Sequence, residues 1–269
     1  MSIPSYSRAA SIHSWLNEVP LHPSIVGTCP VPHPPASGFS GPSPLGADSS
    51  AHQALPSPLA SLETPDITVI DRSAWIHCFG QPALDAERLS FEGIPSEVTR
   101  EMIRRVQDLP SGVRKWVFLQ VPAGLTLNAL KRLATSFELT ILEESCCEPI
   151  LEIYGNNRVD RAYQVALSES IFTDSAMKGV EAQQLILEEN HCVMPRMIEV
   201  VSACALKCIK SLKLGSPPVR LYADVSTRCE EKVDGLCVIA GGFGPEGLYI
   251  SPYSNSASAG VGIAGTRNF

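Results

Sequence analysis

Two histidine–cysteine pairs are the residues of this chain best suited to nucleophilic or metal chemistry. They are His77–Cys78 and His191–Cys192, in a chain that has nine cysteines. A histidine can activate a thiol by accepting its proton, but side chains adjacent in sequence project in different directions, so adjacency alone does not form such a pair. Zinc sites use CxxC or HxxxH spacings, and the sequence contains neither. We therefore predict no catalytic residue and no metal site, and keep a thiol-dependent α/β enzyme as an alternative function.

Paired glutamates and one glycine-rich segment are weaker candidates for chemistry. The pairs are Glu143–Glu144, Glu188–Glu189 and Glu230–Glu231. Acid–base catalysis needs two groups whose surroundings separate their pKa values, and adjacent glutamates at the ends of elements are usually solvated. The segment GGFGPEG (Gly241–Gly247) leads into a strand and lacks the GK[ST] of a phosphate-binding loop. We predict surface carboxylates, a hairpin loop, no cofactor and no small-molecule substrate.

Basic residues are the candidates for binding a polyanion. Residues 191–222 include five basic residues and one acidic residue, although the net charge of the chain is −7. Lysine and arginine side chains that neutralise phosphates release counterions, which makes such binding depend on salt. The predicted RNA-binding residues are Arg196, Lys207, Lys210, Lys213, Arg220, Arg104, Arg105, Lys131 and Arg132.

The elements that must position these residues follow from the spacing of apolar side chains. Short apolar runs predict strands, and apolar residues three or four apart predict helices. The predicted strands are residues 67–70, 74–79, 115–121, 138–144, 149–155, 219–225, 235–240 and 247–251. The predicted helices are residues 96–109, 127–137 (capped by Thr126), 156–170 (capped by Asn156 and Asn157) and 180–189, followed by the longest helix.

That longest helix is predicted from Pro195 to Gly215. Proline at the first helical position and glycine at the end are the usual boundaries of a helix. The spacing predicts an amphipathic helix with two distinct faces. The apolar face has Met197, Val201, Cys204, Ala205, Cys208 and Leu212, and the solvent face has Arg196, Glu199, Lys207, Lys210 and Lys213.

The composition divides the chain into three parts. Residues 1–64 have 11 of the 22 prolines and only four charged residues, which predicts a disordered Pro/Ser/Ala-rich arm. Within it, Ser11–Val19 is predicted as a short helix in which Trp15 and Leu16 mediate self-association. Residues 65–250 are predicted as one α+β domain with a mixed sheet and three or four helices. Residues 251–269 are predicted as a flexible tail that leaves the core.

Proline, alanine and serine together account for 76 of the 269 residues, and they concentrate in MSIPSYSRAAS, PHPPASGFSGPSP, HQALPSPLASL and SPYSNSASAG. In this composition, in its length and in its Pro/Ser-rich beginning, the chain resembles the proline–alanine–serine-rich proteins of the polymycoviruses, double-stranded RNA viruses of fungi. The resemblance implies a non-enzymatic structural protein that coats the viral RNA and associates with itself, in a virion or a ribonucleoprotein of the host cytoplasm. The acidic net charge departs from what an RNA coat usually has.

Other functions remain open from the sequence. A protein-interaction factor, such as a silencing suppressor or an effector, would use the segment around Trp15 and bind no RNA. The first residues have no continuous apolar run, which predicts the absence of a secretory signal. No run reaches the ~18 apolar residues of a membrane span, so we predict no membrane partner. Because no secretory signal is predicted, we expect the cysteines to be reduced.

Overall fold

The computed structural model describes residues 66–96, 98–107, 113, 115–137 and 139–269. The predicted arm at residues 1–64, including Trp15 and Leu16, lies outside the described residues. All described residues belong to one compact unit. The predictions for residues 65–269 can therefore be compared with one folded body.

Helices and strands both contribute to this body, so the α+β prediction is confirmed. The described part has seven α-helices, more than the three or four predicted. They are α1 (Arg72–Phe79), α2 (Gln81–Ala86), α3 (Arg100–Gln107), α4 (Leu127–Thr135), α5 (Glu144–Tyr154), α6 (Val180–Glu189) and α7 (Met197–Lys213). The strands are β1 (Asp66–Ile70), β2 (Lys115–Val121), β3 (Tyr163–Ser168), β4 (Ser226–Val233), β5 (Leu236–Gly244), β6 (Gly247–Tyr253), β7 (Val261–Gly262) and β8 (Thr266–Asn268).

The strands form two four-stranded sheets, and both sheets are mixed. The first sheet has the order β1-β2-β3-β8, in which β1 runs parallel to β2 and the other pairs are antiparallel. The second has the order β6-β5-β4-β7, in which β7 runs parallel to β4. The β5–β6 hairpin turns at Pro245 and Glu246, so the predicted hairpin is confirmed, but Gly241–Gly244 belong to β5 and not to the loop.

Helix α7 is the centre of the main core. Its side chains share one apolar cluster with Leu119 of β2 and Val238 of β5, and it also packs against α1 and α4. Because both sheets contribute to this packing, the helix buries almost its whole circumference, including Glu199 and Ser202. The predicted division into one apolar face and one solvent face is therefore wrong for the first three turns. Arg196 is the N-cap, so Pro195 precedes the helix and is not its first residue.

A second apolar cluster covers the opposite face of the first sheet. Trp116 and Phe118 of β2 and Ala166 of β3 pack there against Ile186 and Leu187 of α6. The alternation along β2 and β3 thus serves two cores, since Val117, Leu119, Val165 and Leu167 face the α7 side.

Several predicted elements are confirmed. Strands β1, β2, β5 and β6, and helices α3, α4, α6 and α7, occur where the apolar pattern predicted them, although boundaries differ by a few residues. The capping prediction is also confirmed, because the Thr126 hydroxyl accepts a hydrogen bond of 2.9 Å from the backbone N–H of Ala129.

Other predicted elements have the wrong type. Residues 74–79 belong to α1, which begins where the Asp71 carboxylate accepts a hydrogen bond from Ala74 N. Residues 149–155 lie mostly in α5, and of residues 138–144 Leu142 makes only an isolated bridge to Leu248. The predicted helix at residues 156–170 contains β3, and the predicted strand at residues 219–225 is a turn that precedes β4. Apolar runs of four to eight residues fit a buried strand and a buried helix equally well, which explains the exchanges.

The prediction that residues 251–269 leave the core is wrong. Strand β7 pairs with β4, β8 pairs with β3, and Ile263 and Ala264 between them are fully buried. The small residues of this segment allow close packing: a Cβ on Gly262 would lie 2.5 Å from Ile171 Cδ1. The small residues that made this segment resemble a linker therefore occupy positions where larger side chains do not fit.

Candidate nucleic-acid interface

Carboxylates pair with predicted RNA-binding residues in the described part of the chain, among them Arg132, Lys207 and Arg105. The Arg132 guanidinium donates two hydrogen bonds to Glu87, at 2.8 and 2.6 Å. Lys207 forms an ion pair with Glu169, and both side chains are largely buried. Arg105 lies 3.6 Å from Glu101 on the exposed surface of α3. These pairs reduce the positive charge that each residue offers to a phosphate.

The other predicted cations do not form one stripe. Lys210, Lys213 and Arg220 lie at the C-terminal end of α7 and in the segment after it, whereas Arg104 lies on α3 and Lys131 on α4. Lys213 donates to the carbonyl of His77 at 2.6 Å and lies 5.0 Å from the centroid of the Phe137 ring. The structure therefore distributes the predicted set over three helices and one connecting segment.

Arg196 is the member of the predicted set that lines a wide groove of the described body. This groove has a volume of about 820 Å³, and it runs past the start of β3, the end of β8 and the N-terminus of α7. Two further arginines, Arg158 and Arg161, line it, and all three are exposed. We call it the arginine groove, defined by Arg158, Arg161 and Arg196.

Backbone pairing of Val159 fixes the segment that carries two of these arginines. Val159 is buried, its N–H donates to the Leu125 carbonyl at 3.0 Å, and its carbonyl accepts from Gly124 N at 2.7 Å. With Val159 held inward by both backbone groups, Arg158 and Arg161 on either side of it project to the surface. Arg158 and Arg161 were not predicted as site residues, because this segment was predicted as the start of a helix. The pattern Arg-Val-Asp-Arg, with one apolar residue among charged ones, could have indicated two exposed arginines.

The third arginine is positioned by a polar cluster at the start of α7. Arg196 N donates to the Glu199 carboxylate at 2.9 Å, and the Tyr163 hydroxyl donates to the other Glu199 oxygen at 3.0 Å. The Arg196 guanidinium lies 5.8 Å from the centroid of the Tyr163 ring. Glu231 accepts from Met197 N at 2.8 Å. The cluster holds Arg196 at the edge of the groove while its own carboxylates are turned inward.

Burial changes the charge of these carboxylates. Glu199 is only 2% exposed, and burial together with the nearby Glu231 raises its pKa to about 7, against the hydrogen bonds from Arg196 and Tyr163. Burial also raises the pKa of Glu231. Asp160 and Glu230 are the exposed acids of the groove lining. Formal charges along the lining therefore balance, but Glu199 is partly neutral near pH 7.

Apolar and amide side chains form the inner part of the groove. Gln164 of β3 is 3% exposed, and its Nε2 has no hydrogen-bond partner in the described part of the chain. Ile94 and Phe269 line the same groove, and the Phe269 ring packs against Phe118 with centroids 5.5 Å apart. The groove thus combines cations at its mouth with an aromatic wall and an unpaired amide at its floor.

A smaller groove of about 450 Å³ adjoins it, because both are lined by Val159, Arg196 and Glu230. It adds Tyr154, Lys232 and the half-buried Glu231. The exposed Glu230 fits the predicted surface pair, and Glu231 fits it only in part.

Burial makes several of the described thiols poor nucleophiles. Seven of the described cysteines are buried. Burial raises the pKa of Cys78 and of Cys192, each to about 11, and it also raises those of Cys204 and Cys229. These thiols are therefore protonated near neutral pH, and the thiolate that a nucleophilic mechanism needs is scarce.

The described residues have neither a metal-binding cluster nor a membrane-spanning helix. No group of three or more His, Cys, Asp or Glu side chains in that part of the chain is arranged to hold a metal ion. None of its helices combines the length and the apolar run that crossing a bilayer requires.

Comparison of the chain with protein families, curated proteins and solved structures finds no match. What the arginine groove binds therefore has to be inferred from its own side chains.

Proposed function

We propose that this protein is a structural protein that binds RNA through the arginine groove and associates with itself. The observation that carries the proposal is the placement of Arg158, Arg161 and Arg196, three exposed guanidinium groups, around one groove. A guanidinium presents a planar set of donors that matches two phosphate oxygens, so arginines clustered at a groove favour a phosphate backbone over a single carboxylate.

The expected partner is the double-stranded RNA genome of a virus, in a virion or a ribonucleoprotein of the host cytoplasm. The composition supports this source, because the proline, alanine and serine content resembles that of the polymycovirus proteins. In this proposal the N-terminal arm links neighbouring copies through Trp15 and Leu16, so that many weak protein contacts along one RNA add up to tight retention. Removal of residues 1–64 is then expected to abolish cosedimentation of oligomers with RNA.

Few phosphate contacts per copy explain how an acidic protein can bind RNA. Three contacts give an expected salt slope of about −2 to −3, so affinity falls roughly 20- to 40-fold between 50 and 200 mM salt. This weak local attraction suits a coat in which each copy binds modestly and the assembly binds strongly.

The test replaces Arg158, Arg161 and Arg196 together by glutamine in the full chain. Filter binding with double-stranded RNA at several salt concentrations is expected to show weaker binding and a flatter salt slope. The matched control replaces Arg104, Arg105 and Lys131 by glutamine, which removes the same charge outside the groove and is expected to leave the slope nearly unchanged. An equal loss in both variants would contradict the assignment of binding to the groove, and no loss in either would remove the proposed function.

A further inference from the structure

Two neighbouring glutamines of the first sheet differ in how their amides are used. Gln120 of β2 and Gln164 of β3 are paired in register, and both side chains are buried. Both ends of the Gln120 amide have a partner: its oxygen accepts from Arg72 N at 2.8 Å, and its nitrogen donates to the Pro95 carbonyl at 2.9 Å. Gln164 Nε2 has no such partner among the described residues.

An unpaired buried amide is costly, and this one lies at the floor of a groove. A buried donor without a partner has lost its hydrogen bond to water without replacing it, and native proteins contain few of them. Gln164 lines the arginine groove, but its Nε2 is closed to solvent, so an acceptor atom of a ligand can supply the missing bond only after the amide rotates. Because a glutamine amide can rotate to exchange its two ends, the floor offers either a donor or an acceptor to such a ligand.

The rest of the groove has the side chains that a nucleotide needs. Phe269 and Ile94 provide an apolar wall, Asn268 provides a second amide, and the arginines stand at the mouth. Aromatic side chains stack on bases of any sequence, and arginines hold the adjoining phosphates. The volume of about 820 Å³ lies within the roughly 300–1,000 Å³ typical of sites for small molecules, which is enough for one nucleotide.

A nucleotide can reach this floor only when it is unpaired. In an A-form duplex the bases pair with each other, and the major groove is too deep and narrow for side chains to read. We propose that the arginine groove takes an unpaired nucleotide of single-stranded RNA, with its base against Phe269 and a base-edge acceptor on the Gln164 amide. The inference rests on the proposed function and adds to it: the arginines bind the phosphates of a duplex or of a single strand, and only a single strand also places a base on the floor of the groove.

The experiment measures the affinity of the full chain for two RNAs of equal length, a labelled single-stranded oligouridine and a blunt duplex. Gln164→Leu keeps the side-chain volume but removes the amide, so single-strand affinity is expected to fall about 2- to 12-fold, the loss of one hydrogen bond, with duplex affinity unchanged. Phe269→Ala is expected to weaken single-strand binding by about 5-fold or more through lost stacking.

Ser202→Ala is the matched control. Its hydroxyl is also buried without a partner in the described part of the chain, but Ser202 lies inside α7 and does not line the groove. It is expected to change neither affinity. Because Gln164→Leu removes an unpaired donor, its melting temperature is expected to equal or exceed that of the native protein, which separates lost recognition from lost folding.

The outcomes distinguish the inference from the function on which it rests. If the triple arginine variant loses RNA but Gln164→Leu binds the single strand as the native protein does, the groove binds RNA and the inference is wrong. Equal weakening of single-strand and duplex binding by Gln164→Leu also overturns it. If the triple arginine variant loses nothing, the proposed function and the inference both fail.

Discussion

The buried carboxylate of Glu199 makes stability depend on pH in a way that one substitution can isolate. Glu199 is 2% exposed and accepts hydrogen bonds from Tyr163 and Arg196. Glu199→Gln keeps the shape, since the glutamine oxygen can accept from Arg196 N while its amide donates to the Tyr163 oxygen. The substitution removes the ionisation and leaves the packing of α7 in place.

The size and sign of the effect follow from the pKa. Burial raises the pKa of Glu199 from 4.5 to about 7, so the folded protein holds this proton more tightly than the unfolded chain does. Below about pH 4.5 the carboxyl is protonated in both states and costs nothing. As pH rises towards 7 the native protein loses stability, and above 7 the loss is complete at about 3 kcal/mol.

Urea unfolding of the full chain at pH 5, 6, 7 and 8 measures this dependence. The stability of Glu199→Gln relative to the native protein is expected to rise by about 2.5 kcal/mol between pH 5 and pH 8, most steeply between pH 5 and 7. Glu188→Gln, which removes an exposed carboxylate from α6, is the control and is expected to follow the native curve. Parallel curves for Glu199→Gln and the native protein would refute the reasoning.

Two further substitutions test how the C-terminal segment and Lys207 are used. Gly262→Ala places a Cβ 2.5 Å from Ile171 Cδ1 and is expected to lower the free energy of unfolding by about 1–3 kcal/mol. The control Gly260→Ala meets open space and is expected to change the free energy of unfolding little. Equal effects of the two substitutions in urea unfolding would mean that the C-terminal segment is not packed. Lys207→Met leaves Glu169 without its ion pair, so the free energy of unfolding is expected to fall by about 1–2 kcal/mol. The affinity for RNA, measured by filter binding, is expected to stay the same. A large loss of affinity would mean that Lys207 contacts the RNA.

The sequence carried enough information for some elements and not for others. Strand β2 was predictable from its mostly apolar residues Val117 to Val121, and the start of α4 was predictable from the capping residue Thr126. The run at 74–79 has no period that separates helix from strand, and only Asp71 as a cap indicated the helix. In β3, Val165 and Leu167 alternate with Gln164 and Ala166, a strand signal that the two asparagines before it obscured.

Tertiary packing explains why the site was only partly predictable. The polar residues of α7 were assigned to solvent because a single helix cannot show that two sheets will enclose it, so Glu199 was placed on the wrong side. Arg196 was predicted, but its partners Arg158 and Arg161 are 35 or more positions earlier in the chain and meet it only through the fold. Whether the Gln164 amide has a partner is likewise a property of the packed structure.

Photo-crosslinking of RNA to the full chain, followed by mass spectrometry of the modified peptides, tests most directly where the RNA binds. The account predicts crosslinks in the peptides that contain Tyr163, Arg196 and Phe269, and their loss when Arg158, Arg161 and Arg196 are replaced by glutamine. Crosslinks confined to α3, α4 or residues 1–64, with none at the groove, would contradict it.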